Sequence, residues 1–262
     1  MRHYIKKLAL LAAIFTLAPM TAHAGEQKTY KDGDVTLEGY FAPSECGSDK
    51  PAPLVLVVHQ WMGLTDYEKA RADMLAKECY HAFAVDMYGQ GVRPTSIDEA
   101  STLSGQFKSD AALARRRITA GLDFARTLPG VATDKVGVIG YCFGGTMALE
   151  LARAGADIKA AIPFHAGLGT PQPASTPGAI KASLQVHHGA DDPFVKPEEV
   201  NAFIAEMNAA KADFEFTSYS GAVHSFTQKG IEAAGIPGAA YNEKADQRSW
   251  RSALAFLKEN LN

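Results

Sequence analysis

Apolar residues fall along this chain in two distinct patterns. Leu54 to Val58, Ala82 to Val85, Val136 to Ile139, Ile158 to Pro163 and Leu184 to His187 are short, nearly continuous apolar runs. Their length and branched side chains predict strands buried on both faces. Gln27 to Tyr30 and Val35 to Phe41 flank Lys31-Asp32-Gly33 and predict a hairpin, and Phe214 to Tyr219 predicts a further strand. Between these runs the spacing becomes helical. Thr65 or Asp66 can cap a helix reaching about Glu78. Ser96 to Thr127 reads as two helical pieces, the second being Ala111 to Arg126, and Thr146 to Ala154, Pro197 to Ala210 and Asp246 to Leu261 read as further helices. Ala42 to Pro53 is rich in Pro, Ser and Gly and predicts a loop. Strands alternating with helices predict an α/β fold, with a mostly parallel central sheet and helices on both faces. No boundary divides residues 25–262 and no insertion is long enough for a separate cap domain, so one domain is expected.

Composition narrows the function classes. A chain of 262 residues with 47% hydrophobic and 21% charged content is ordinary for a globular protein. A net charge of -3 without a basic patch argues against a nucleic-acid or anionic-membrane surface. At the N-terminus, Arg2, Lys6 and Lys7 precede the apolar stretch Leu8 to Leu17, and Ala22-His23-Ala24 forms an A-x-A site. Residues 1–24 therefore read as a cleaved signal peptide, with a periplasmic or secreted mature chain and no membrane attachment after removal. A monomer is expected. The three cysteines are Cys46, Cys79 and Cys142. An odd number in an oxidising compartment leaves at least one unpaired. Cys46 and Cys79 are either a disulfide or two thiols, the choice depending on geometry that a sequence does not give.

Cys142 is the candidate for chemistry. Val136-Gly137-Val138-Ile139 leads into Gly140-Tyr141-Cys142-Phe143-Gly144-Gly145, and a helical pattern follows. That is a strand, a sharp turn and a helix, the context of a nucleophile elbow with cysteine in place of serine. Gly140 and Gly144 stand where a Cβ would clash, and the sulfur would sit at a helix N-terminus, where a thiolate is favoured. A thiol nucleophile needs a base, and the base needs an orienting acid. Asp191 and Asp192 follow the strand Leu184 to His187, and His224 follows the strand ending at Tyr219. Both loops lie at strand ends, where an open α/β sheet places its site. An oxyanion hole needs two N–H donors. Phe143, the residue after the nucleophile, can supply one. Trp61, after the strand Leu54 to Val58, is the choice for the other, though it also suits a core aromatic. His59, His165, His187 and His188 lie near strand ends as well. No H-x-x-x-H or C-x-x-C spacing is present, and His187 and His188 point to opposite faces of a strand. No metal is expected.

Together these residues resemble the dienelactone hydrolase family of the α/β-hydrolase fold. The resemblance rests on Gly140 to Gly145, Gly189 to Val195 and His224-Ser225-Phe226, supported by His59 to Leu64 and Asp86-Met87-Tyr88-Gly89. It implies a Cys-His-Asp triad of Cys142, His224 and Asp192. It also implies ester or lactone hydrolysis through an acyl-thioester, without metal or organic cofactor. The substrate pocket implied includes Gln60, Tyr88, Gln90, Phe226 and Gln228. The family commonly has a glutamate at the position of Gln60, and arginines that hold a substrate carboxylate at or near Gln90 and Gln228. Glutamine has neither the charge nor the guanidinium fork. Arg93 is close enough in sequence to replace an arginine at Gln90. The competing reading, motivated by Gln60, is an exported non-catalytic binding protein that keeps the hydrolase fold. A redox role for Cys46 and Cys79 lacks the C-x-x-C motif such chemistry uses.

Overall fold

The computed structural model describes residues 24–47 and 50–262, so the predicted signal peptide lies outside the described residues, apart from Ala24. Eight strands form one sheet: β1 (Glu26–Asp32), β2 (Val35–Ala42), β3 (Ala52–Val58), β4 (His81–Val85), β5 (Val131–Tyr141), β6 (Ala160–Phe164), β7 (Ser183–Gly189) and β8 (Phe214–Tyr219). Their spatial order is β1-β2-β4-β3-β5-β6-β7-β8. The first hairpin and the β2–β4 pair are antiparallel; the remaining pairs are parallel. This is the mostly parallel sheet that the periodicity predicts, in the α/β-hydrolase arrangement that the resemblance implies.

The pleat assigns each strand's residues to one layer or the other. Leu54, Leu56, Val58, Val136 and Val138 face a core shared with α3 (Ala111–Arg126), α4 (Phe143–Arg153) and α5 (Pro197–Ala210), which contribute Ile118, Leu122, Met147, Leu151, Phe203 and Met207. Val55, Val57, Ile139 and Tyr141 face the opposite core, closed by α1 (Asp66–Lys77) and α6 (Glu243–Leu261) through Leu75, Ala253 and Leu257. Continuous apolar runs were the sequence sign of strands covered on both sides, and here they are covered. The sixth helix, α2 (Ile97–Ser109), precedes α3 and is separated from it by Asp110, which caps α3.

Several element boundaries differ from the sequence reading, and two of the shifts have a local cause. β5 starts at Val131, five residues before the apolar run, because Ala52 and Pro53 pair with Val131 and Ala132 across a register shift. α6 starts at Glu243, because the Asn242 side chain accepts the Ala245 N–H. The α1 alternative resolves to Thr65, which forms a capping box with Glu68.

Cys46 and Cys79 form a disulfide across a sequence separation of 33, tying the loop after β2 to the end of α1. Closing a loop of that length in the unfolded chain stabilises the fold by about 3–4 kcal/mol on a chain-entropy argument. The double variant Cys46→Ala/Cys79→Ala is expected to unfold at lower denaturant concentration by that amount. Equilibrium unfolding against the parent checks it, and an unchanged midpoint contradicts it.

Candidate active site

Cys142 opens α4 with φ +53°, in the left-handed region that a non-glycine residue seldom adopts. Two glycines permit the turn. A Cβ on Gly140 would collide with the Gly144 carbonyl, and one on Gly144 would collide with the carbonyl of Val58. The helix therefore starts pressed against the ends of β3 and β5, with Sγ at its N-terminus, where the dipole favours an anion.

The three residues predicted to act together meet there. His224 Nε2 lies 3.0 Å from Cys142 Sγ, and His224 Nδ1 lies 2.8 Å from Asp192 Oδ2. Asp192 is buried, and its other oxygen accepts the Phe194 N–H at 2.9 Å. Its neighbour Asp191 is exposed and does not reach the imidazole through any hydrogen bond in the structure. The ring of Phe194 stands edge-on to His224, with centroids 5.1 Å apart. Burial opposes charge at both ends of the Cys142–His224 contact, and the contact itself favours the charged forms. The charge of His224 and its hydrogen bond hold the Cys142 thiol below its ordinary range, assisted by Lys108 and the Phe143 N–H. The thiolate and Asp192 in turn push His224 up to about 10. Both shifts act toward a thiolate–imidazolium pair.

The loop after β3, which carries Trp61, is held from several sides. His59 Nδ1 donates to the Gln60 carbonyl at 2.5 Å, and its Nε2 accepts the Met87 N–H at 3.1 Å. Burial keeps this imidazole neutral, pushed down to about 4. The Tyr88 hydroxyl donates to the Trp61 carbonyl at 2.9 Å, and the Tyr88 ring packs on His59 and Phe143. Glu68 was not singled out from the sequence. Buried on α1, it accepts the Gln60 N–H at 3.2 Å, the Thr65 N–H at 2.8 Å and the Thr65 hydroxyl at 2.7 Å. The capping-box spacing Thr65-x-x-Glu68 was the signal that could have found it.

The other predicted pocket residues divide. Gln60 and Gln228 are brought together: Gln60 Nε2 donates to Gln228 Oε1 at 2.9 Å. They line a cleft of about 610 Å³ together with Trp61, Met62, Ile97 and Ile236; Cys142, His224 and Tyr88 are not among its lining residues. Two expectations need correction. Gln90 does not line this cleft; its side chain is exposed and donates to Glu38 on β2, because the Gln90 N–H pairs with the Thr36 carbonyl of the same strand. Phe226 is fully buried against His165 and Tyr219, so it packs beneath the site rather than facing a cavity. Arg93 does not take the place of an arginine at Gln90. Its guanidinium donates to the carbonyls of Leu64 and Val92 and does not line the cleft.

A family model for the dienelactone hydrolase family matches residues 37–261. An uncharacterised protein of Caenorhabditis elegans is 40% identical over 146 residues, spanning 55% of this chain and 91% of that protein. A carboxymethylenebutenolidase of Pseudomonas putida is 26% identical over 186 residues, spanning 68% of this chain and 76% of that protein. Among solved structures, a dienelactone hydrolase-like promiscuous phosphotriesterase from metagenomic libraries aligns with a TM-score of 0.86 at 38% identity, spanning 91% of this chain and 99% of that one.

The ion pair makes a measurable demand on pH. A thiol held low by an imidazolium is alkylated by iodoacetamide with an inflection well below about pH 8.5, the value of a free thiol. Asp192→Asn removes a charge that raises His224, so the imidazolium weakens and the Cys142 inflection is expected to move up. An ordinary thiol profile in the parent protein contradicts the pairing.

Proposed function

The chain belongs to the dienelactone hydrolase family, and we propose that it hydrolyses neutral esters or lactones by acyl transfer to Cys142. The observation that carries this reading is the contiguous Cys142–His224–Asp192 contact at a strained elbow. The Cys142 thiolate attacks the carbonyl carbon, and the oxyanion accepts the N–H groups of Phe143 and Trp61. As the C–O bond breaks, His224 gives its Nε2 proton to the leaving oxygen, leaving a thioester on Sγ. The imidazole then takes a proton from water, the hydroxide displaces Sγ, and the thiolate–imidazolium pair is restored. Asp192 holds Nδ1–H throughout and stabilises the imidazolium. Each oxyanion donor is worth about 10²–10³ in rate.

Gln60 does not enter as a proton carrier, since an amide cannot take a proton. The existing contact with His224 supplies the activation instead, which favours turnover over the non-catalytic alternative.

The cleft supports the neutral substrate class. Its lining includes no lysine or arginine, and its one ionisable side chain is the carboxyl of Glu68. A substrate carboxylate entering it would lose hydration without gaining a cation. The targeting segment and the Cys46–Cys79 disulfide both support export to an oxidising compartment, the periplasm in a Gram-negative cell.

Hydrolysis of matched lactones and esters, with and without a carboxylate, tests the reading. The parent is expected to turn over the neutral member with kcat/KM at least about tenfold higher, equal to about 1.4 kcal/mol. Gln228→Arg is expected to narrow that ratio, and Cys142→Ala to abolish hydrolysis of both while leaving thermal unfolding near that of the parent. Undiminished hydrolysis by Cys142→Ala overturns the mechanism.

A further inference from the structure

His165 follows β6, is fully buried, and also has a left-handed backbone, with φ +40°. Its contacts go to the nucleophile, to the base and to a buried polar strut. The Cys142 N–H donates to His165 Nδ1 at 3.1 Å, alongside its 3.0 Å bond to the Phe164 carbonyl. With Nδ1 accepting, the ring proton is on Nε2, which donates to the Thr227 hydroxyl oxygen at 2.8 Å. Thr227 Oγ1 is 2.6 Å from the Tyr67 hydroxyl, which accepts from Arg71 Nε at 3.2 Å. Arg71 also donates to the Thr227 carbonyl at 3.0 Å and to Asp246 at 2.7 Å. Above this strut the His165 ring meets the His224 ring edge to face, with centroids 5.3 Å apart.

We infer that His165 is a positioning residue for the proposed reaction, clamping the Cys142 backbone through Nδ1 while its ring supports the face of His224. The inference rests on the acyl-transfer reading for its meaning, but the geometry is independent of any substrate. One imidazole touches both members of the ion pair, and its own orientation is fixed at the far end by Thr227. A backbone held at positive φ relaxes unless its surroundings over-determine it. The Cys142 N–H bond to His165 is one such determinant, and a relaxed elbow would lengthen the 3.0 Å contact that ionises the thiol.

The role requires a neutral ring, because a proton on Nδ1 would expel the Cys142 N–H and repel the His224 imidazolium. The titratable and charged groups around His165 are Cys142, His224, Tyr141, Tyr67 and Arg71. Burial, then the charge on His224, keep the imidazole well below its ordinary range, with Arg71 acting in the same direction.

Three variants test this: His165→Asn, His165→Leu and Thr227→Val. Each is measured by the pH profile of Cys142 alkylation with iodoacetamide and by kcat and KM on a neutral ester. Asparagine keeps an acceptor near the Nδ1 position and tolerates the left-handed backbone. Its alkylation inflection is expected to stay close to that of the parent. His165→Leu removes the acceptor, and the inflection is expected to rise by about one pH unit. With the reacting groups misplaced, kcat is expected to fall about a hundredfold. KM should change by less than about threefold, since the cleft is untouched. Thr227→Val, which frees the Nε2 end and the Tyr67 hydroxyl but leaves the Nδ1 acceptor in place, should fall between.

A folded His165→Leu variant with the parent's inflection and kcat overturns the inference. So does a His165→Asn variant that loses as much as His165→Leu. If His165→Leu fails to fold, an unchanged inflection in Thr227→Val overturns it. Alkylation needs no turnover, so a failure of the hydrolytic reading leaves this result legible.

Discussion

The site depends on the closeness of two backbones. Where α4 begins, Gly144 lies so near the Val58 carbonyl that no side chain fits between them, and Gly140 lies equally close to Gly144. This contact fixes where the helix starts relative to β3 and β5. It thereby forces Cys142 into a left-handed conformation, points its N–H toward β6 and its Sγ toward the loop after β8. An exchange of either glycine for alanine would disturb all three. The strain at Cys142, of the order of 1–3 kcal/mol, is held in place by packing on both sides of the sheet.

Around that contact the loops at the strand ends are joined to one another more than to solvent. His59 links the β3 loop to Met87 after β4, and Tyr88 returns to Trp61. Asp86 accepts from Glu38, Tyr88 and Gly89, so the β4 loop is also tied to β2. Glu68 reaches the Trp61 loop from α1. Each of these acceptors is buried and satisfied, which is what a preorganised set of N–H donors requires. Pre-orientation of this kind avoids reorganisation during the reaction.

The sequence announced the fold through strand runs covered on both faces, and the contact of Cys142, Asp192 and His224 through the order of Cys142, the acidic pair and His224 along the chain. Asp191 and Asp192 are adjacent and alike in sequence; the family resemblance implied Asp192, and the fold gives the physical difference, since one turns to solvent and the other to an imidazole nitrogen. Gln90 and Phe226 misled for a related reason. Each lies within a few residues of a group at the site, but a side chain's direction is set by local pairing, with Thr36 for the first and by packing on His165 for the second. His165 was visible as a histidine at a strand end. Its partners, Thr227 and the Cys142 N–H, are 62 and 23 residues away, and no local pattern connects them.

The Cys46–Cys79 bond has a consequence for how the chain reaches its native state in an oxidising medium. Three thiols allow three pairings, and two of those would trap Cys142 as a cystine. A molecule that folds through either wrong pair would be covalently inert until a thiol exchanged it. Native pairing removes both competing thiols at once, leaving Cys142 as the free thiol. The structural bond thus bears on the site from a distance, since the pairing that ties β2 to α1 is the one of the three that leaves the sulfur at the elbow free.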